Sequence, residues 1–493
     1  MREKLIQSNL KNYSAFLAIF LIATSVIATE VPITPFPLEK YSQNINDWIN
    51  PESPDYNKPV MSISDQKNHL DEYYNHYYAT GANASSPWSS EYVIKNAKIP
   101  YSEQELINKY GNSAKTNQEK IGYGENFHPY SDQWIKDTIT NMNLAQLKLP
   151  IEYNPNNRGI AVKNLLARDI PTIEPYFYKF SLAGEGYPFD IIQESAIWVG
   201  TPVYIIGQTL DQQWYLVLTP QFIEWVQSEG IAKTSKDFIK NYQECAKQKM
   251  VAITRTNVSV LDTNKQYQFN AYIGAVFPGA NSSDDITTIK VLIPTADTQH
   301  NAQIAVAELS NKDAAIMPLE ITPHNFATVI STLLGRPYGW GNMYFYNDCS
   351  AELQNLYTPF GILLQRNSSS QEKAGKTVID KSSADMQERL NYIMENGKKF
   401  TTITSIGGHV MLYIGSYPNP NSDTHEPMAM TYQNIWGLRP ADNSYRAVIG
   451  RAVLFPLLPT YPEDPNLISL ADRKFFKLIY LADDLKDPQY EDL

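Results

Sequence analysis

Apolar positions recur every three or four residues in some stretches of the chain and alternate with polar ones in others, and this change of rhythm divides it. From Pro32 to about Pro150 the rhythm is helical, with DQKNHLDEYYNHYY placing Leu70, Tyr73, Tyr74 and Tyr77 on one face. In SEQELINKYG, Ser102 followed three residues later by Glu105 is a capping-box start, and TGANASSPW between the two stretches reads as a loop. From about Arg158 to Ala232 the apolar runs shorten to strand length. VYII (203–206) and WYLVL (214–218) flank a turn, so the pair predicts a hairpin within a small barrel. A second set of strand-length runs between Met250 and Leu319 predicts a second small barrel, with SKDFIKNYQECAKQK as a polar helix connecting the two. From Thr322 onward the pattern is helix, loop, helix, then strands around HVMLYIG and PMAMTYQNIW, an α+β texture. The last thirty residues predict a docking tail with a solvated acidic end.

Composition narrows the class. The 493 residues suit three or four domains, and 31 Pro, 33 Tyr and 23 Gly favour short strands and irregular turns. With 41 Lys and Arg against 52 Asp and Glu the net charge is −11, and no basic run interrupts the acidic excess, which argues against nucleic acid as a partner. Residues 1–28 set Arg2, Lys4 and Lys11 ahead of the apolar run AFLAIFLIA and end in small residues, the pattern of a cleavable signal peptide. Its removal leaves 38 Lys and Arg against 51 Asp and Glu, a net of −13, on a chain expected to be exported to the periplasm or secreted. No stable membrane insertion is expected after cleavage, since no other segment is apolar enough to span. Cys245 and Cys349 are expected to be free thiols. His69 and His76, seven apart on a helix, lack further ligands for a zinc site, and no metal or organic cofactor is implied.

Candidate chemistry concentrates after Arg336. Asp348 is a good N-cap for a helix over 350–357 that Pro359 and Gly361 end, which puts Cys349 in the first turn. There the helix dipole favours the thiolate, and the unsatisfied N–H groups can receive an oxyanion. A thiol nucleophile needs a base, and His409 opens an apolar strand directly after two glycines. Gln433, on the next strand, is the candidate to orient the imidazole, a task for which an amide suffices.

These residues carry a resemblance. Tyr338-Gly339-Trp340-Gly341, Asp348-Cys349-Ser350, Phe360-Gly361-Ile362, Arg366-Asn367-Ser368 and Gln371, then His409 with Tyr413-Ile414-Gly415 and Gln433 with Asn434 and Trp436-Gly437, resemble the NlpC/P60 cell-wall cysteine peptidases. Asp65-Gln66 and Ser86-Pro87-Trp88 resemble the helical clip domain of some members, and Pro171-Thr172, Phe189-Asp190, Gln193, Gly200-Thr201-Pro202-Val203, Asp211 and Trp214 resemble a bacterial SH3-like domain. The resemblance implies a multidomain α+β chain: signal peptide 1–28, helical N-terminal clip domain 29–150, SH3-like β-barrels at 151–245 and 246–320, a papain-like NlpC/P60 domain at 321–460 and a docking tail at 461–493. It further implies hydrolysis of murein stem peptides after γ-D-glutamate, with Cys349, His409 and Gln433 catalytic. Asp348, Ser350, Tyr338 and Trp340 would line a pocket for the free amine of an N-terminal L-alanine. A further acid is expected from the first barrel, Asp190 or Glu194. Asn342, Ala351 and Gln365 depart from the family's usual glycine, glycine and proline. The rival readings are an acyltransferase or amidase on the same fold and a non-catalytic wall-binding protein.

Overall fold

The computed structural model describes residues 33–482 apart from 114, 148–150, 181, 183–184, 281–286, 421 and 423–425. The expected signal segment and residues 483–493 of the acidic end lie outside the described residues. Among the described residues no helix is long and apolar enough to cross a membrane. The fold is mixed α+β and multidomain, organised around several hydrophobic cores.

The helices Ile63–Tyr77, Ser90–Asn96, Glu103–Tyr110 and Asp132–Met142 form where the periodicity places them, and Ser102 with Glu105 closes the capping box. Their apolar faces meet the β structure as well as, for Glu103–Tyr110 and Asp132–Met142, one another. Val93, Leu106, Ile135 and Met142 share a core with Ile170, Tyr204 and Trp225 of the first barrel. Tyr73, Tyr78 and Trp88 pack instead with Phe238 and Tyr242 of the connector helix Lys236–Gln248. These helices are layers laid over the β structure. A further departure is the stretch before them: Phe36, Tyr41, Ile45, Trp48 and Met61, expected with the helical domain, belong to the core around the C-terminal sheet.

In the first barrel seven strands pair antiparallel in the spatial order 193–197, 165–168, 223–227, 214–218, 202–208, 158–161 and 231–233. The expected hairpin appears as Tyr204 opposite Leu218. The second β region keeps one core, from Val251, Phe269, Phe277, Val291 and Leu309, but divides into three small sheets. Met250–Ile253 is flanked by Val276–Pro278 and Ala314–Ile316, beside the hairpins 258–271 and 288–310.

The C-terminal sheet also has seven strands. Arg446–Leu457, Pro427–Leu438, Val410–Pro418 and Thr402–Ser405 run consecutively across it, and helices Cys349–Tyr357 and Met386–Asn396 pack on it. Ile33–Pro35 adds a parallel edge strand against Arg446–Val448. Lys477–Tyr480, which the sequence reading assigns to a tail, inserts between Thr402–Ser405 and Thr377–Asp380. An inserted strand buried on the core is structural rather than appended, since its side chains and its ladder bonds are both needed. Ile479 is 0% exposed, so Ile479→Ala should lower unfolding stability by about 2–5 kcal/mol. Urea denaturation checks this, and a midpoint shift near zero would return the strand to the status of a tail.

Candidate active site

Asp348 has extended backbone, and its carboxylate accepts from Ala351 N–H at 2.9 Å, which starts the helix Cys349–Tyr357. Cys349 stands at the first helical position, buried, with its thiol donating to the Gly408 carbonyl at 3.9 Å. Both cysteines are free. Backbone N–H groups of Val410 and Ser350 favour the thiolate, yet burial, followed by the neighbouring Asp348 carboxylate, pushes the thiol up to about 12. Burial of the His409 ring pushes the imidazole down to about 4, against the hydrogen bond to Gln433 that raises it. Burial therefore works against the thiolate that the helix end favours, and it disfavours the imidazolium as well.

His409 follows Gly407 and Gly408, both left-handed (φ +77° and +81°), and this turn brings the ring to the mouth of the strand Val410–Pro418. Its Nε2 lies 2.6 Å from Gln433 Oε1. Gln433 Nε2 donates to Thr431 Oγ1 at 2.9 Å, and that hydroxyl donates to the Phe455 carbonyl at 2.6 Å. The chain of donors fixes a tautomer. With its proton committed to a carbonyl, Thr431 can only accept, so the amide nitrogen of Gln433 faces it and the amide oxygen faces the imidazole. Nε2 then carries the ring proton, and Nδ1 keeps a lone pair able to accept one from a thiol. Thr431 escaped the sequence reading, although its position two residues before Gln433 on the same strand face was the available signal.

Of the pocket residues, Asp348 is the most constrained. Arg366 grips it with Nη2 to Oδ2 at 2.7 Å and Nη1 to Oδ1 at 3.1 Å, while Gly341 N–H and Ser350 Oγ–H also donate to it. Ser350 Oγ in turn accepts from Arg366 Nη1 at 3.1 Å. The same guanidinium reaches the first barrel, through Nε to Ser195 Oγ at 2.7 Å and Nη2 to the Glu194 carbonyl at 3.1 Å. That carbonyl is free to accept because Glu194 is the extra residue of a bulge between Ser195 and Gln193. The Glu194 side chain stays exposed, and burial of its inner part with the carboxylates of Asp169 and Asp190 pushes it up to about 7. Asp190 is different. It is 1% exposed, paired with Arg168 at 2.9 Å and accepting from the N–H groups of Tyr176 and Ile192, so its carboxylate is engaged inside the barrel and not in the cleft.

An aromatic wall closes one side. Phe189 of the first barrel packs edge-on against Trp340 (5.5 Å) and Trp436 (5.1 Å), with Tyr338 at 6.5 Å. Burial raises the Tyr338 hydroxyl, and the nearby Asp348 carboxylate, with Cys349 when ionised, raises it further. The loop beneath is strained: Gly341, Asn342, Tyr344 and Phe345 all have φ between +56° and +62°. Gly341 must be glycine, because a Cβ there would lie 2.2 Å from the Gln193 carbonyl oxygen. Asn342, the departure from the family's usual glycine, tolerates its left-handed backbone and donates to the Tyr346 carbonyl and Asn347 Oδ1. Behind the helix, Glu352 is a buried carboxyl held by Tyr432, Asn347 and Asn434, which ties the helix to the strand carrying Gln433.

Comparison with known proteins places this geometry. Residues 175–227 match the SH3 domain family model of the SH3b1 type. The structure of an NlpC/P60 endopeptidase from Photobacterium damselae subsp. piscicida superposes with a TM-score of 0.72 at 25% identity, covering 91% of this chain and 98% of that one. The chain is an NlpC/P60 protein with an SH3b domain. An NlpC/P60 family protein from Bacillus cereus ATCC 10987 is similar at 17% identity over 63% of this chain and 98% of its own, with a TM-score of 0.40. No curated protein matches the chain by sequence. In this NlpC/P60 protein the SH3b domain thus packs against the candidate site, through Phe189, Gln193, Ser195 and Glu194 on Trp340, Gly341 and Arg366.

Two outcomes follow for the site. With Cys245→Ser as background, iodoacetamide should alkylate Cys349 at a rate that keeps climbing as pH rises from neutral towards the thiol's value. A rate already level at neutral pH would show a preformed ion pair and contradict the buried neutral one. Arg366→Met leaves the Asp348 carboxylate buried and unpaired, an expected loss of about 3–5 kcal/mol, whereas Arg366→Lys keeps charge without the two-pronged geometry and should recover only part. Equal urea midpoints for wild type and Arg366→Met would sink that role.

Proposed function

We propose that the protein is an exported cysteine peptidase of the cell wall, cleaving murein stem peptides at the γ-D-glutamyl–diamino acid bond. The observation that carries this reading is the oriented chain Phe455 carbonyl, Thr431, Gln433, His409, with the Cys349 thiol donating to the carbonyl of Gly408, the residue before His409. Cys349 Sγ attacks the γ-carbonyl carbon as its proton passes to His409 Nδ1. The backbone N–H groups at the helix start stabilise the oxyanion, and the imidazolium, supported by Gln433, returns the proton to the leaving amine. Water then releases the acyl group by the reverse assignment of roles. The endopeptidase activity in the name of the similar Photobacterium protein agrees with this chemistry, and the leader-like pattern of residues 1–28 agrees with export.

Substrate choice follows from what borders the cleft. Tyr338, Trp340, Ser350 and Asp348 line the side towards the substrate's N-terminus, but Asp348 is already neutralised by Arg366. Among the two barrel acids, Glu194 is the exposed one and the better partner for a substrate ammonium. The barrel standing against Trp340 and Tyr338 favours released peptides with a free N-terminal L-alanine over peptides still linked to glycan.

The test is mass spectrometry of products from L-Ala-γ-D-Glu-diaminopimelate peptides, their N-acetylated forms and intact sacculi. Expected are release of L-Ala-D-Glu from the free peptide, loss of turnover in Cys349→Ala, and a raised KM in Glu194→Gln for the free but not the acetylated peptide. Wild-type protein inert on every substrate, or an active Cys349→Ala, would overturn the peptidase reading.

A further inference from the structure

Three arginines gather at the end of the C-terminal sheet where His409 stands. Strand Pro427–Leu438 runs antiparallel to Val410–Pro418, so its last residues lie at the end from which His409 enters. Leu438 pairs with Ala447, and the next residues of that ladder, Arg439 and Arg446, stand opposite each other across the hairpin. Arg473 arrives from the stretch before the inserted strand Lys477–Tyr480. Two residues on from it, the Phe475 ring packs on the turn that precedes His409, where a Cβ on Gly407 would lie 2.8 Å from the ring. Burial, and then the positive charge of Arg473, lower the His409 imidazole, and burial, followed by the like charges of Arg439 and Arg473, lowers Arg446.

None of the three guanidiniums forms an ion pair with a carboxylate among the described residues. Arg446 is 7% exposed. Its Nη1 donates to the neighbouring Tyr445 carbonyl at 2.9 Å, while Nε and Nη2 have no partner among the described residues and neither is sealed from the surface. Arg439 gives a bond to Asn443 Oδ1 at 3.0 Å, and the half-buried Arg473 side chain gives none among the described residues. The Glu185 carboxylate of the first barrel acts on Arg446 through space, but Lys120 already holds it at 2.5 Å. Like charges opposite one another on a ladder cost stability, and a buried charge without a counter-ion costs more. Such a cluster is a receptor for an anion from outside the chain, and forked guanidiniums suit a carboxylate.

We propose that Arg439, Arg446 and Arg473 bind the carboxylates of the amine component that the reaction releases, and so select a leaving half that is itself an amino acid over a simple amine. The proposal rests on the peptidase reading. In that reaction His409 hands its proton to the leaving amine, so the leaving half lies beside His409, where the arginines are, and the N-terminal half lies against Tyr338 and Trp340. A diaminopimelate leaving half brings two carboxylates to the three guanidiniums. The arginines are specificity residues: they hold the departing half and leave the scissile bond to Cys349 and His409.

The experiment measures kcat and KM of the whole chain, as wild type, Arg446→Met and Arg473→Met, on L-Ala-γ-D-Glu-diaminopimelate and on L-Ala-γ-D-Glu-cadaverine. Cadaverine is diaminopimelate without its carboxylates, while the glutamate carboxylate is common to both substrates. Wild type is expected to favour the first, and each substitution to cut that preference roughly tenfold by raising KM for the first substrate alone, as for a lost charge-assisted hydrogen bond. Arg446→Met removes a buried, unbalanced charge, so its melting temperature should not fall, and the half-buried Arg473 tests the role independently of folding. KM raised equally on both substrates would assign the cluster to the glutamate carboxylate. A preference unchanged in both variants, with or without a lower melting temperature, would make the arginines structural. Either result overturns the proposal. Wild type inert on both substrates would be the failure of the peptidase reading itself, and the proposal falls with it.

Discussion

One guanidinium fixes the relation between the helix that carries Cys349 and the barrel in front of it. Arg366 uses Nε, Nη1 and Nη2 on Asp348, Ser350, Ser195 and the Glu194 carbonyl, all at a buried junction. A buried charge pair adds little net stability against an apolar alternative, but losing one partner costs much, because the other charge is then stranded out of water. The planar fork also imposes direction, which a lysine would not. Asp348 therefore serves two masters: it caps the helix through Ala351 and anchors the barrel through Arg366. The position of Cys349 along that helix is set by contacts on both sides of the domain boundary, so the barrel is a structural member of the site as well as its wall.

Burial then decides the resting chemistry. Burial pushes the Cys349 thiol up to about 12 and the His409 imidazole down to about 4, so it favours the uncharged form of each. In the proposed reaction charge arises only as the sulfur attacks and the proton leaves, when the oxyanion and the imidazolium would each find groups already oriented for them. The Thr431–Gln433 relay matters for this reason. A neutral base must present the correct nitrogen before any proton moves, and a rigid chain of donors does so without a carboxylate, whose added charge would draw the imidazole towards its protonated form.

Much of this was legible in the residues. Cap and periodicity signals are local, so the helix behind Asp348, the capping box at Ser102 and the hairpin around 207–213 follow from short-range rules. Asp348, Cys349, His409 and Gln433 were visible because each sits at an element boundary or on a neighbouring strand. What escaped was set by long-range pairing. Nothing near Ile33 or Lys477 announces a place in the C-terminal sheet, and the helices 63–142 show an apolar face without saying which surface covers it. Asp190 and Glu194 look equivalent as acids in one segment. A buried arginine from the preceding strand engages the first, and a bulge leaves the second outside.

The edge strand Ile33–Pro35 pairs with Arg446–Val448, and Lys477–Tyr480 lies inside the same sheet. Contacts so distant in sequence close last, because the loop between them must be ordered first. Both β regions and the helices over them are complete in the chain before Lys477 is made, and domains fold in that order during synthesis. The sheet that carries His409 and Gln433 is thus finished only when nearly the whole polypeptide is present, which makes the candidate active site the last part of the molecule to come into being.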